Sequence, residues 1–545
     1  MAGEKKNNFM VQGAVLGMSS ILVRLIGILY RVPLNNILGE KGAAYYGVAF
    51  DVYSILLLLS SYSLPLAVSK MVSARVAVGQ FKNTRKVFRY AICFALICAT
   101  AAFCITFFGA DLFAKTLNYP HSALALRVLS PALIILSVLG VLRGFFQGLG
   151  TMVPTAFSNI IEQIINAIVS LVAATMLYKT AVSATDAEKA ARGAAGGTLG
   201  TVIGALAALI FMFVIFVLYR KKLIIRVKTD ETVDEIAGRD ILRVLVLTIV
   251  PVILSTTIYN LSSLIDMGIF SNLMKRRGEL SDTIDTLTGM FTGNYRLIVN
   301  VPIALASALA SSLIPSIVKS MARKSRGQVI RKIDSSIKLT MMIAFPCAVG
   351  IGVLAKPIVN LLFPSSVDPG RVALMLMIGC ISVVLYSLST ITNSILQGID
   401  KMSVPVKHSA IALASHVGFL VIAMLLTDYN IFCVVVADVI FALIVCFLNH
   451  RSIRKYLGYR QEMKKTFILP AVCALIMGAA AFFIYRLLYF LFGSNTVSVL
   501  ISILTAIIIY GMLLLLFNVI DEEELGMVPK GETLARLAKK LHLMR

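Results

Sequence analysis

The sequence predicts an all-α polytopic membrane protein of fourteen transmembrane helices, arranged as two six-helix halves in a parallel repeat plus two C-terminal helices. Three observations lead to this fold class. The chain has 545 residues, of which 58% are hydrophobic and 14% charged, and its mean hydropathy is +0.89. Apolar runs near the ~20 residues that cross a bilayer recur along the chain. Short motifs also repeat at an offset near 250 residues.

Each expected span is an apolar run bounded by polar or basic residues. The even number of spans places both ends of the chain on one side of the membrane. The runs cover residues 11–33, 45–69, 90–110, 128–147, 154–178, 197–219, 244–270, 286–316, 339–363, 372–397, 405–426, 430–449, 466–491 and 497–518.

The repeat relates the two halves of the chain. Gln147 and Gly148 recur as Gln397 and Gly398, and the pair Ala74-Arg75 recurs as Ala322-Arg323. Six spans separate the copies, so the halves share one orientation and a pseudo-twofold axis along the membrane normal. The expected division is an N-terminal half (1–228), a C-terminal half (229–460), two added helices (461–520) and an amphipathic cytoplasmic tail (521–545).

The strongly basic charge of the chain predicts its orientation. Lys and Arg total 51 against 27 for Asp and Glu, a net charge of +24. In a soluble chain this excess would suggest a nucleic-acid partner. Here the basic residues concentrate in the even-numbered loops and the tails, which predicts cytoplasmic termini and no nucleic-acid partner. The basic segments Lys70–Arg89, Arg220–Arg243, Lys319–Lys338 and Arg451–Lys465 either touch anionic headgroups or hold a specific partner.

No loop is long enough for a catalytic domain, and none carries a phosphate-cradling glycine motif, HExxH or GxSxG. We therefore expect a protein that is not an enzyme, with no cofactor and no bound metal. A monomer is expected, surrounded by membrane lipids.

Arginines inside the spans are the main candidate binding residues. Arg24 and Arg31 lie seven residues apart in the first span, which places them on nearly one helix face. A charge at the bilayer centre costs about 3 kcal/mol, so both are expected to face a polar interior. Arg296 is expected about 15 Å into the eighth span if that helix starts near Thr286, or at the interface if it starts at Leu297. Guanidinium groups suit phosphate or pyrophosphate.

The roles of the remaining charged residues inside the spans can be interpreted in more than one way. Asp51 either neutralises an arginine until an anionic substrate arrives or forms a structural ion pair. Asp266 and Asp438 either bind Na⁺ or H⁺ together or hydrogen-bond to neighbouring helices. Arg143 and Arg486 lie near helix ends, where their side chains are expected to reach the interface. Glu162 is the remaining charged residue inside a predicted span.

Four stretches resemble the multidrug/oligosaccharidyl-lipid/polysaccharide (MOP) exporter superfamily, in its branch of stage V sporulation protein B and MurJ-type lipid II flippases. They are Leu22–Leu34, Ser63–Lys70, Tyr295–Pro302 and Leu313–Ser320, and the resemblance covers essentially the whole chain.

The resemblance implies a cationic cavity that receives a lipid-linked pyrophosphate. The first-helix pattern of the family falls on Arg24, Gly27 and Arg31, and its helix 8 arginine falls on Arg296. The helix 2 arginine of the Gram-negative members has no match here. Asp51 and Lys70 are the nearby charges, and we take Lys70 as a further candidate.

The expected function is a flippase that moves lipid II, the undecaprenyl-pyrophosphate-linked peptidoglycan precursor, across the bacterial cytoplasmic membrane by alternating access. This would serve cell-wall synthesis, cell shape or sporulation. Membrane potential or a gradient of Na⁺ or H⁺ would drive the return step. Three alternatives stay open: a flippase for another lipid-linked polysaccharide or teichoic acid unit, a cation-coupled drug exporter of the same fold, and a non-transporting scaffold for sporulation or cell-wall assembly.

Overall fold

The computed structural model describes residues 2–180, 183–232, 236–322 and 325–520. Within these residues the regular structure is entirely helical, which confirms the predicted all-α class. The predicted cytoplasmic tail, 521–545, lies outside the described residues.

Seventeen α-helices follow one another along this part of the chain, interrupted by three π-helical turns. The π-helical turns are Leu58–Tyr62, Met290–Tyr295 and Lys464–Ile468. The α-helices are α1 (Ala2–Leu57), α2 (Leu64–Ala77), α3 (Phe81–Thr116), α4 (Ser122–Leu129), α5 (Pro131–Gly148), α6 (Val153–Lys179), α7 (Asp186–Lys228), α8 (Gly238–Arg276), α9 (Ser281–Gly289), α10 (Arg296–Ala322), α11 (Arg326–Val353), α12 (Ala355–Leu362), α13 (Pro369–Gly398), α14 (Ser403–Leu426), α15 (Ile431–Leu457), α16 (Leu469–Phe492) and α17 (Asn495–Leu516).

Every predicted span falls on helix, and the chain is a multi-pass membrane protein. Among the described residues, 12 helical segments are long and apolar enough to cross a bilayer. The first of these, Met18–Ala77, has 60 residues; it contains the second predicted span and the first from residue 18 onward. The seventh predicted span coincides with α8, which is not among the 12. The count of fourteen stays a prediction.

A backbone break at Gly39 divides α1. Gly39 adopts φ 64° and ψ 179°, a conformation that is essentially restricted to glycine. Pro33, which lies before the break, lacks the N–H that would continue the helical ladder. As a result, α1, whose first segment carries Arg24 and Arg31, changes direction after Gly39.

Three glycines four residues apart let α7 pack directly on the backbone of α6. A Cβ atom at Gly196 would lie 2.5 Å from the carbonyl oxygen of Ala173, and one at Gly204 would lie 2.5 Å from that of Glu162. Between them, a Cβ at Gly200 would lie 2.6 Å from the carbonyl oxygen of Asn166. This is the small-residue spacing with which membrane helices achieve close backbone contact.

The chain forms two compact units. The first comprises Met1–Gly293 and Leu420–Ile431, and the second comprises Asn294–Phe419 and Phe432–Arg545. The first unit has a core between α2, α3, α5, α7 and α8. A core of the second unit joins α16 and α17 to α11 and α12. The predicted halves are defined by the sequence repeat, not by packing, and they stay a prediction.

Candidate functional site

The two predicted arginines of α1 lie on either side of a close helix contact. A Cβ atom at Gly27 would lie 3.1 Å from Nε2 of Gln163 on α6, so glycine lets α1 approach α6 between them. Arg24 is exposed and Arg31 is half-buried. On the following turn, Nδ2 of Asn166 on α6 donates to the hydroxyl of Tyr30 at 3.4 Å.

Arg31 lies in an aromatic and acidic environment. Its guanidinium carbon is 5.5 Å from the centre of the Phe50 ring, within the range of a cation–π interaction. Tyr30, Tyr46 and Asp51 are its electrostatic neighbours. Phe50 and Asp51 follow Gly39, whereas Arg31 precedes it. The break in α1 therefore lets one helix supply both the arginine and the groups around it.

Asp51 also has a partner on another helix. Its Oδ2 accepts a hydrogen bond from the hydroxyl of Ser263 on α8 at 2.5 Å. The carboxylate thus joins the second segment of α1 to α8, near the guanidinium of Arg31.

Lys70 lies apart from these groups. It is exposed on α2. Within the described residues, no hydrogen bond or ion pair joins it to Arg24, Arg31 or Asp51. The structure gives Lys70 no geometric link to the arginines, and its role stays a prediction.

The first unit also contains an ion pair that the sequence did not predict. Nη2 of Arg143 on α5 lies 2.7 Å from Oε2 of Glu162 on α6, and it donates to the hydroxyl of Ser158 at 2.7 Å. The expectation that Arg143 extends to the interface is wrong, because its side chain is only 14% exposed and turns toward α6. The signal in the sequence was Glu162, an unassigned carboxylate inside the next span.

Arg296 lies inside a continuous helical segment. Helix α9 begins at Ser281 and continues through the π-helical turn Met290–Tyr295 into α10. The candidate span runs from Ser281 to Val318. A start at Leu297, which would have left Arg296 outside the helix, is therefore wrong.

Asp438 on α15 lies next to Arg296 within the second unit. Nη2 of Arg296 is 3.8 Å from Oδ2 of Asp438, and the hydroxyl of Tyr386 on α13 donates to Oδ1 at 3.5 Å. The two side chains are 21% and 9% exposed. A candidate substrate-binding arginine and a candidate ion-coupling aspartate are thus neighbours, which the sequence reasoning did not foresee.

Asp266 is buried on α8, in the first unit, whereas Asp438 belongs to the second. Among the described residues, no group of three or more His, Cys, Asp and Glu side chains is arranged to hold a metal ion. The suggested cation coupling through these two aspartates stays a prediction.

The sequence of more than half of the chain matches a known family. The sequence profile of the family described as "Polysaccharide biosynthesis protein" matches residues 10–321, more than half of the chain. The chain belongs to this family. The matched residues include Arg24, Arg31, Asp51, Lys70 and Arg296.

Curated relatives agree with the predicted branch. The chain is 25% identical over 411 residues to the lipid II flippase MurJ of Bacillus subtilis (strain 168), which covers 71% of this chain and 72% of the relative. It is 23% identical over 529 residues to stage V sporulation protein B of the same organism, covering 96% and 98%. The predicted resemblance to the MOP superfamily and its MurJ and sporulation branch is confirmed.

Solved structures show the same fold. A multidrug resistance MATE family transporter of the MOP superfamily, in an inward-facing conformation, aligns with a TM-score of 0.65 at 17% identity, covering 81% of this chain and 98% of the other. The lipid II flippase MurJ, in an inward closed conformation, aligns with a TM-score of 0.62 at 17% identity, covering 92% and 98%. Family members of this fold are flippases and transporters of the membrane.

Proposed function

We propose that the protein is a flippase for a lipid-linked saccharide pyrophosphate, with lipid II as its substrate, in the bacterial cytoplasmic membrane. Both termini lie in the cytoplasm, and the protein acts as a monomer by alternating access. It breaks no covalent bond and needs no cofactor. The proposal rests on the family, on the relatives, and on the intramembrane arginines.

One observation carries the proposal: two arginines lie within apolar helices, each near a carboxylate. Arg31 has Asp51 as an electrostatic neighbour, and Arg296 lies 3.8 Å from Asp438. Burial of a charge inside a membrane protein costs about 3 kcal/mol even on lenient scales. A functional role explains the presence of such a costly charge better than packing does, because a leucine at the same position would pack as well.

The Arg296–Asp438 geometry suits an exchange of partners. Its 3.8 Å separation is longer than the about 2.7–2.9 Å of a tight charge-assisted hydrogen bond. A pyrophosphate offers several acceptor oxygens and a higher charge than a carboxylate, so it competes well for the guanidinium. In this scheme Asp51 and Asp438 neutralise the arginines when no substrate is bound. Arg24 and Lys70 add positive charge in the first unit.

The return step is driven by a cation gradient or by the membrane potential. Displacement of Asp438 from Arg296 leaves a carboxylate that a proton or Na⁺ can neutralise. Asp266, buried on α8, is the second candidate for this role.

A second candidate function is the transport of another lipid-linked polysaccharide unit. The family description, polysaccharide biosynthesis, favours it. The arginines would serve both substrates, because a phosphate-linked polyprenyl carrier is common to them. The sugar end of the substrate would then distinguish the two functions.

Complementation of a strain depleted of its lipid II flippase tests the proposal. The wild type, Arg24→Ala and Arg296→Ala are compared at equal membrane levels. Arg486→Ala is the matched control, because Arg486 is exposed and its guanidinium carbon lies 4.8 Å from the centre of the Phe482 ring on its own helix. We expect rescue by the wild type and the control, and loss of rescue by the other two.

Each other result has a defined meaning. A wild type that inserts well but does not rescue excludes lipid II, and transport of a second lipid-linked unit in proteoliposomes would then support the polysaccharide alternative. Full rescue by Arg24→Ala and Arg296→Ala would favour a non-transporting scaffold.

A further inference from the structure

A groove between the basic ends of α3 and α7 has no place in the proposed transport cycle. Two adjoining cavities form it, of about 280 and 600 Å³. Both are lined by Arg85, Arg89, Cys93 and Val227. Both helices belong to the first compact unit.

The inner part of the groove is apolar. The Phe88 and Phe216 rings stack across it with centres 4.9 Å apart, and Ile92 and Ile224 complete the wall. These side chains offer a surface for a hydrocarbon chain, and they lie on helices that cross the membrane.

The mouth of the groove is cationic. Arg85 and Arg89 stand one turn apart on α3, and Arg220 faces the same cavity from α7. All three are exposed, and within the described residues no carboxylate lies within ion-pair distance of them. Lys82 adds a fourth positive charge to the larger cavity.

A carboxylate on the segment after α7, Asp230, already has hydrogen-bond partners. Asp230 accepts hydrogen bonds from the backbone N–H of Lys82 at 2.6 Å and from that of Thr232 at 2.9 Å. Burial opposes its ionisation, but a hydrogen bond from the Thr232 hydroxyl, together with these two backbone bonds, outweighs burial and holds the pKa of Asp230 below its usual range. Asp230 therefore ties the segment after α7 to the start of α3 and does not neutralise the arginines.

The two helices of the groove also carry apolar side chains that are exposed. Ile97 on α3 is 72% exposed and Leu218 on α7 is 71% exposed. Exposed side chains of this kind on membrane helices contact lipid. The two helices of the groove thus carry surfaces suited to lipid chains, and the cations of its mouth suit a headgroup.

The repeat-related copy lacks these cations. At the offset of 248 residues that relates Ala74-Arg75 to Ala322-Arg323, Arg85 corresponds to Ile333 and Arg89 to Ile337. Both isoleucines are buried. At this offset, the predicted repeat does not share the two arginines of the groove.

We propose that this groove is a binding site for one anionic phospholipid of the surrounding membrane. The phosphate lies between Arg85, Arg89 and Arg220, and one acyl chain runs along Phe88 and Ile92. The proposed lipid site requires only that the protein is embedded in a membrane, and it does not depend on which substrate is transported. Basic pockets between membrane helices recognise lipid headgroups in this way.

The test is native mass spectrometry of the full chain released from nanodiscs of equal phosphatidylglycerol and phosphatidylcholine. We expect the wild type to retain phosphatidylglycerol selectively, and Arg85→Gln/Arg89→Gln to lose retention about fivefold for each arginine removed. Lys221→Gln/Lys228→Gln is the matched control, because it removes two exposed charges of α7 that do not line the groove. Arg85→Lys/Arg89→Lys should keep most of the retention.

Three results would overturn the proposal. Unchanged selectivity in Arg85→Gln/Arg89→Gln would show that the arginines do not hold the lipid. Displacement of the lipid by inorganic phosphate alone would identify a free anion as the ligand. Unaltered retention in Ile92→Trp, which fills the apolar part, would exclude the acyl chain from the groove. If the double glutamine variant does not fold, the lysine variant and Ile92→Trp decide the question.

Discussion

The guanidinium of Arg143 on α5 lies 2.7 Å from the carboxylate of Glu162 on α6, and both side chains are mostly withdrawn from the surface. Ser158 accepts from the same guanidinium at 2.7 Å, so the arginine has two partners on one neighbouring helix. This pair stabilises the first unit by joining the two helices on either side of the turn after Gly148.

Removal of one member of this pair is expected to lower the free energy of unfolding more than removal of both members. Arg143→Met leaves the Glu162 carboxylate without its counter-charge and should lower stability by about 2–3 kcal/mol, within the range for broken buried pairs after allowance for partial exposure. Arg143→Met/Glu162→Gln should recover most of that loss. Thermal unfolding in detergent measures both. Equal stability of the single and double variants would mean that the pair carries no coupling.

Gly200→Ala should destabilise the contact between α6 and α7. The new methyl group would meet the backbone of Asn166 and displace the hydroxyl of Ser170, which donates to the carbonyl oxygen of Gly197 at 2.8 Å. Overpacking of this kind costs about 1–3 kcal/mol.

The control for that substitution is Gly350→Ala on α11, where the Cβ atom would have no neighbour within 4 Å. This change should be neutral or stabilise by about 0.5–1 kcal/mol. Thermal melting of both variants in one detergent makes the comparison. A Gly200→Ala protein as stable as Gly350→Ala would argue against a close α6–α7 contact.

Asp438→Asn should tighten binding of a lipid-linked pyrophosphate. Asparagine keeps the shape of the side chain but removes the negative charge 3.8 Å from Arg296. The gain is expected to be about 1–2 kcal/mol, or roughly five- to thirtyfold in affinity, with a slower transport cycle. Binding of lipid II to purified protein and its translocation in proteoliposomes are the two measurements. Tyr386→Phe, which removes only a hydroxyl 3.5 Å from Asp438, is the control and should change affinity little.

Asp266→Asn tests the cation-coupling hypothesis. A buried carboxylate that takes up a proton or Na⁺ should make transport depend on the gradient of that ion, so the amide variant should lose this dependence. Initial rates of translocation are measured with and without an imposed Na⁺ or pH gradient. A variant with unaltered dependence would remove Asp266 from the coupling site.

The helices were predictable because a membrane span can be recognised from the length and hydropathy of one continuous stretch of sequence. Every predicted apolar run falls on helix, and by length and hydropathy 12 helical segments of the described residues could cross a bilayer, a set that does not include α8. The Gly196, Gly200 and Gly204 spacing on α7 did not enter the prediction; such a spacing indicates a contact face without naming the helix that it meets.

The charge pairs were not predictable in the same way. Arg143 with Glu162, and Arg296 with Asp438, each join separate helices, and the second pair spans 142 positions of the chain. Hydropathy reports that a charge is inside a span but not which partner faces it. The sequence therefore identified the arginines as candidates and left the choice of carboxylate open.

The break at Gly39 places Arg24 and Arg31 together on one helical segment of α1. Both arginines lie on the helical segment before this residue, while Phe50 and Asp51 lie on the segment after it. The backbone dihedrals of Gly39 set the angle between these two segments. The position of both guanidiniums relative to Phe50 and Asp51 therefore depends on the conformation of one residue without a side chain.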